Sequence, residues 1–176
     1  MSQVWSEINK VVNASVPVDR TATGSYYTDI VNMENYKKCT FIVQTGADAV
    51  ADSPIITVVT GVSSTATITT AIPFKYRTQV LAANATSASG DVPSALTTTT
   101  GTAGFAMSSG KVGGMYIIEV DAADVAAGTT AGAATDYDHV ALKVSSGATS
   151  ATHVYGIIAV LSEPRYPQAI LQTAID

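Results

Sequence analysis

Residues 115–120, Met115-Tyr116-Ile117-Ile118-Glu119-Val120, form a short and almost unbroken apolar run, with Gly113 and Gly114 before it and Asp121 after it. Its length and its β-branched and aromatic content select a strand. With so little polar character it reads as a strand buried on both faces, or nearly so. Asp121 ends it, because its carboxylate can accept a hydrogen bond from an amide two or three residues on, as in an Asx-turn or a helix N-cap. Residues 121–127 then read as one turn or a short helix, closed by Gly128. The other apolar runs must be arranged beside or across this strand.

They have the same character. Residues 10–18 have strand composition, and Pro17 places them at a sheet edge or the strand's end. Residues 25–31 form a further strand. Residues 38–45 form the clearest strand of the first half, with Cys39, Phe41 and Val43 on one face, Thr40 and Ile42 on the other, and Gly46 as its stop. Residues 55–62 are β-branched and central. Residues 71–81 follow an alternating stretch at 65–70 and bend or bulge at Pro73. Residues 105–107 re-enter the sheet. Residues 137–145 alternate Val140, Leu142 and Val144 with His139, Ala141 and Lys143, the pattern of a half-exposed strand. Residues 152–161 are the longest apolar run; Gly156 within it implies close packing on another backbone, and its expected neighbours are 115–120 and 140–144. Roughly eight to ten strands without a long amphipathic helix define an all-β chain, an antiparallel β-sandwich or jelly-roll-like fold.

At 176 residues the chain is expected to form a single domain over 1–176. Residues 1–9 read as an N-terminal arm or first edge strand, with Trp5 docked on its own body or on a neighbour. Residues 82–104 are Thr-rich and long for a loop. They form either a projecting loop ordered by a neighbour or a β ribbon. Residues 164–176 read as a C-terminal arm, whose Ile170, Leu171 and Ile175 are exposed unless something covers them.

Composition excludes several functions. Charged residues are 13% of the chain, about half the usual share of ~25%. Thr, Ser, Ala and Gly fill the deficit. Such a surface suits close approach by neighbouring subunits, or reflects Thr on exposed strand faces. Net charge is −5 and Lys37-Lys38 is the one basic pair, so no nucleic-acid partner is expected. No apolar run approaches the ~18 residues of a membrane span, and the first residues have neither the basic nor the apolar region of a secretory signal. The one cysteine, Cys39, rules out an internal disulfide and reads as a small buried hydrophobe.

Catalytic residues, cofactors and metals are not expected. His139 and His153 lie within strands and outside any ligand spacing. The serines lack a Gly-x-Ser-x-Gly elbow. Cys39 has only Lys38 as a basic neighbour in sequence. Asp121 with Asp124, and Asp136 with Asp138, fall short of a calcium loop. Gly113-Gly114 and Gly101-x-x-Gly104 do not join a strand to a helix, as a phosphate cradle requires.

Five segments taken together carry a resemblance: Tyr27-Thr28-Asp29-Ile30-Val31 with Met33-x-x-Tyr36; residues 39–46; residues 70–76; residues 115–121; and Ile157-Ile158-Ala159-Val160-Leu161-Ser162-x-Pro164-Arg165-Tyr166. In order and spacing the chain resembles small structural proteins encoded near the head genes of tailed bacteriophages and prophages, similar to capsid decoration (cement) proteins. The resemblance implies a virion protein on the capsid exterior, made in the host cytoplasm. It would bind the outer surface of an HK97-type shell of major capsid protein, and itself as a homodimer or homotrimer. Its interface would draw on Trp5, Ile8, Arg165, Tyr166, Ile170, Leu171 and Ile175. The alternatives are a tail or head–tail connector component, or a glycan-binding jelly-roll module marked by exposed tyrosines among Tyr26, Tyr27, Tyr116, Tyr137 and Tyr155.

Overall fold

The computed structural model describes residues 4–19, 24–48, 53–63, 68, 70–79, 92–100, 103–107, 113–129, 135–146 and 153–165. Two antiparallel sheets pack face to face. The front sheet contains β1 (Lys10–Asp19), β12 (His153–Pro164), β4 (Tyr36–Asp48), β10 (Met115–Asp121), β7 (Lys75–Gln79) and β8 (Thr97–Thr98), in that spatial order. The back sheet runs β2 (Gly24–Tyr27), β11 (His139–Ser146), β5 (Ile55–Gly61), β6 (Thr70–Ile72); β3 (Val31–Asn32) pairs with β11 and β9 (Phe105–Ala106) with β5. Two short helices complete the described elements: α1 (Trp5–Ile8) and α2 (Ala122–Ala127). The all-β sandwich expected from the sequence is the fold observed.

Alternation decides what is buried. Cys39, Phe41 and Val43 of β4 point inward beside Tyr116, Ile118 and Val120 of β10 and Ile157, Ala159 and Leu161 of β12. Ile56 and Val58 of β5 and Val140, Leu142 and Val144 of β11 belong to the same core, supplied by the back sheet. Tyr76, Phe105 and Tyr116 tie the two sheets together. The Tyr76 and Phe105 rings stack at 4.3 Å between centroids, and Phe105 tilts onto Tyr116 at 5.3 Å. Each large apolar side chain buried in this way contributes about 1.5–3 kcal/mol.

Several expectations need correction. The 115–120 strand is central, but it is buried on one face only; Met115 and Ile117 are half-buried and Glu119 is exposed on the other. Asp121 occupies the N-cap position of α2 without a side-chain cap bond, and its carboxylate lies 3.8 Å from Lys75 Nζ instead. The β4 strand runs through Gly46 to Asp48, because β12 continues to pair with it as far as His153. The neighbours of β12 are β1 and β4, not β10 and β11. Periodicity states which face of a strand is buried and is silent on its neighbours. Gly156 packs on the Pro17 ring, where a Cβ would lie 3.0 Å from Cγ, rather than on backbone.

The strand expected over 25–31 is broken at 28–30. There Asp29 N–H leaves the back sheet to donate to the Ala14 carbonyl at the bulge in β1. The strand expected to be half-exposed at 137–145 is covered further than that, since Ala141 and His139 are also buried. Residues 1–9 do not form an extended arm where they are described: Trp5–Ile8 is a helical turn, held by Glu7 N–H to Val4 O at 2.9 Å and Asn9 N–H to Trp5 O at 3.1 Å. Pro164 belongs to β12 rather than to an arm.

Within the 82–104 stretch, residues 92–100 do not project. Ser94 N–H donates to Thr78 O, Ser94 Oγ accepts from Thr78 N–H, and β8 extends the front sheet. Pro73 and Phe74 form the corner at which the chain passes from β6 in the back sheet to β7 in the front sheet.

Candidate interaction surfaces

His139 is buried, and its Nδ1 contacts the Asp138 carboxylate. Cys39 is buried, and burial pushes its thiol well above the usual range. No group of three or more His, Cys, Asp or Glu among the described residues could hold a metal ion. No described helix is long and apolar enough to cross a membrane. The tyrosines do not gather on a surface: Tyr116 and Tyr155 are buried, and Tyr26 leans on Tyr155 at 6.3 Å. What the fold does present is surface of two kinds.

The first lies at the end of the front sheet where the described chain starts and finishes. Here α1 precedes Lys10, which pairs with Leu161, and Arg165 follows Pro164, which pairs with Tyr36. Three of the residues expected at an interface, Trp5, Ile8 and Arg165, are thus brought to one end of the sheet and are exposed. Trp5 has 57% of its surface open, and Val4 beside it is as exposed. Tyr166, Ile170, Leu171 and Ile175 lie outside the described residues.

At the same end a charged depression of about 500 Å³ is lined by Lys37, Lys38, Lys75, Asp121, Asp124 and Arg165, among others. Glu163 crosses it to Lys38, Oε1 to Nζ 3.0 Å. This contact holds the Lys38 ammonium above its ordinary range, chiefly through the hydrogen bond and charge of Glu163. Both side chains are half-exposed, so the pair adds little to stability. Glu163 adopts φ +54°, a left-handed conformation that is strained for a residue with a Cβ. The backbone holds that strain where the carboxylate meets Lys38. Four of the nine basic residues in a charge-poor chain thus sit in one depression, interleaved with carboxylates.

The second surface is the outer face of the front sheet. A shallow groove of about 390 Å³ runs across it, lined by Val11, Asn13, Pro17, Ile42, Met115 and Ile158, among others. Val11 is 49% exposed and Ile158 44%. Nothing in the sequence reading singled this face out, although a signal was present. The doublets Phe41-Ile42, Ile117-Ile118 and Ile157-Ile158 place an apolar residue on both faces of three adjacent strands.

Comparison with known proteins adds no identity: no protein family matches the chain, and no curated protein is significantly similar to it.

Proposed function

We propose that the protein is a structural component of a tailed-phage virion, one that decorates the capsid and stabilises it by binding the outer surface of an HK97-type shell of major capsid protein. The observation that carries this reading is the end of the front sheet. A stiff two-sheet body holds out a short helix with Val4, Trp5 and Ile8 uncovered, next to the end of β12 and a depression of mixed charge. Such a body needs neither cofactor nor titrating group; it needs anchors. Exposed tryptophan is the side chain that most often dominates an interface, and a charged rim sets orientation. Each contact can be weak, because many copies on a symmetric shell act together by avidity. On this reading the protein performs no catalysis. It is made in the host cytoplasm and works on the capsid exterior.

The test is co-sedimentation of the purified protein with expanded shells of its own phage. Replacing Trp5→Ala and Ile8→Ser together should weaken binding by about tenfold or more, with the thermal midpoint unchanged because neither side chain is buried. Undiminished binding of that variant would count against the reading. So would occupancy restricted to a connector or tail.

A further inference from the structure

Glu163 is the one non-glycine residue with positive φ among the described residues, at +54°. Pro164 follows it, and a residue before proline is pressed towards extended backbone, so the conformation is costly on two counts. Strain of this kind gathers at functional sites. The Glu163 carboxylate reaches Lys38 Nζ at 3.0 Å. An exposed pair adds little to stability, so stability does not account for the strain. The pair lies in the charged depression, where four cations, Lys37, Lys38, Lys75 and Arg165, meet three carboxylates, Asp121, Asp124 and Glu163. Lys75 is matched by Asp121 at 3.8 Å. Lys37 and Arg165 form no salt bridge among the described residues. With Glu163 swung away, four cations would face two carboxylates, in a chain whose net charge is −5.

We propose that the depression docks an acidic segment of a partner protein, and that Glu163 holds the place of the incoming carboxylate until it arrives. Glu163 itself shows which group Lys38 accepts. Spacing favours more than one such group. Ser162 is opposite Lys38 and Pro164 opposite Tyr36, so Arg165 starts one strand and three residues away from Lys38. That is on the order of 10 Å, at about 4.8 Å per strand and about 3.3 Å per residue. One small oxyanion suits either cation. An extended chain, with alternate side chains about 7 Å apart, carries carboxylates to both. Release of Glu163 lets its backbone return to the extended form that Pro164 favours, which offsets the lost pair. Docking is thus an exchange of one carboxylate for another at Lys38, with a second carboxylate gained at Arg165. The inference rests on the reading of this end of the sheet as a contact surface and names its chemistry. Its test uses no capsid, so its failure leaves that reading standing.

Fluorescence anisotropy of a labelled peptide alternating Glu and Gly, titrated with the purified full-length chain at low ionic strength, tests it. The peptide should bind, and binding should fade as salt is added. Glu163→Gln removes the competing carboxylate and should tighten binding by about threefold, the worth of one exposed pair. Lys38→Ala together with Arg165→Ala should weaken it by about tenfold or more. Lys143→Ala, on β11 of the back sheet, should leave it unchanged. Glu163, Lys38 and Arg165 are exposed, so their variants should keep the circular dichroism of the wild type. No binding by either the wild type or the Glu163→Gln variant would overturn the proposal. So would binding that Glu163→Gln leaves alone or weakens, which would make the Lys38 pair purely structural. Equal losses in Lys143→Ala and in the double variant would also overturn it, since the attraction would then be diffuse. Displacement of the peptide by inorganic phosphate at matched ionic strength would do the same, assigning the depression to a phosphoryl group.

Discussion

Threonine does more in this protein than its composition conveys. Thr28, Thr60 and Thr99 are buried, and each uses its hydroxyl where a backbone ladder is interrupted or capped. Thr28 Oγ1 accepts from Leu142 N–H at 3.0 Å where the 25–31 stretch breaks. Thr60 Oγ1 donates to His139 O at 2.9 Å. Thr99 Oγ1 accepts from Phe74 N–H at 3.0 Å at the corner between the sheets. Thr99→Val keeps the shape and removes the acceptor, leaving the Phe74 amide unpaired. We predict a loss of about 1–3 kcal/mol in urea unfolding, largely restored by Thr99→Ser. A null effect would mean that this amide finds another partner.

Cys39 and Tyr36 give a pH dependence of definite sign. Burial raises both above their ordinary values of 9.0 and 10.0. Above pH 9 the unfolded chain releases the thiol proton while the folded chain retains it, so the unfolded state binds fewer protons. Stability is therefore intact below pH 9 and falls as pH rises, by at most about 1.4 kcal/mol per unit from each group. Tyr36 joins above pH 10. Denaturant midpoints measured from pH 8 upward should show the decline, and Cys39→Ala should remove its first part.

At the scale of elements, the faces of strands were legible and their neighbours were not. The division of β4 into Cys39, Phe41 and Val43 against Thr40 and Ile42 follows from alternation alone, as does Pro17 on an edge strand. The partners of β12 were misassigned because its apolar pattern suits any central position. The break at Asp29 depends on a carbonyl at a bulge in the other sheet, which no local pattern encodes. The exposed positions were half legible. Trp5, Ile8 and Arg165 were expected at an interface and are exposed. The Ile117-Ile118 doublet reads as burial on both faces, because a sequence shows that two faces are apolar without showing how many layers the chain supplies.

One backbone position fixes the return of the chain to the back sheet. Gly104 has φ +65°, and a Cβ there would lie 2.4 Å from the Ile56 carbonyl oxygen. Gly104→Ala therefore combines a left-handed conformation with a clash against backbone. It should cost about 2–4 kcal/mol, read as a lowered thermal midpoint. A midpoint equal to that of the wild type would mean that β9 can leave β5 without consequence.

For the whole molecule, apolar side chains stand uncovered at one end of the two-sheet body and across one sheet among the described residues. Exposed apolar patches often mark contacts with other proteins. The reading as a capsid brace joins these facts to the resemblance carried by the core strands. Its most direct test is an electron-microscopy reconstruction of purified particles, with the protein's copy number measured alongside. The account predicts hundreds of copies on the outer surface of the expanded shell. A few dozen copies or fewer, confined to the neck or tail, would contradict it.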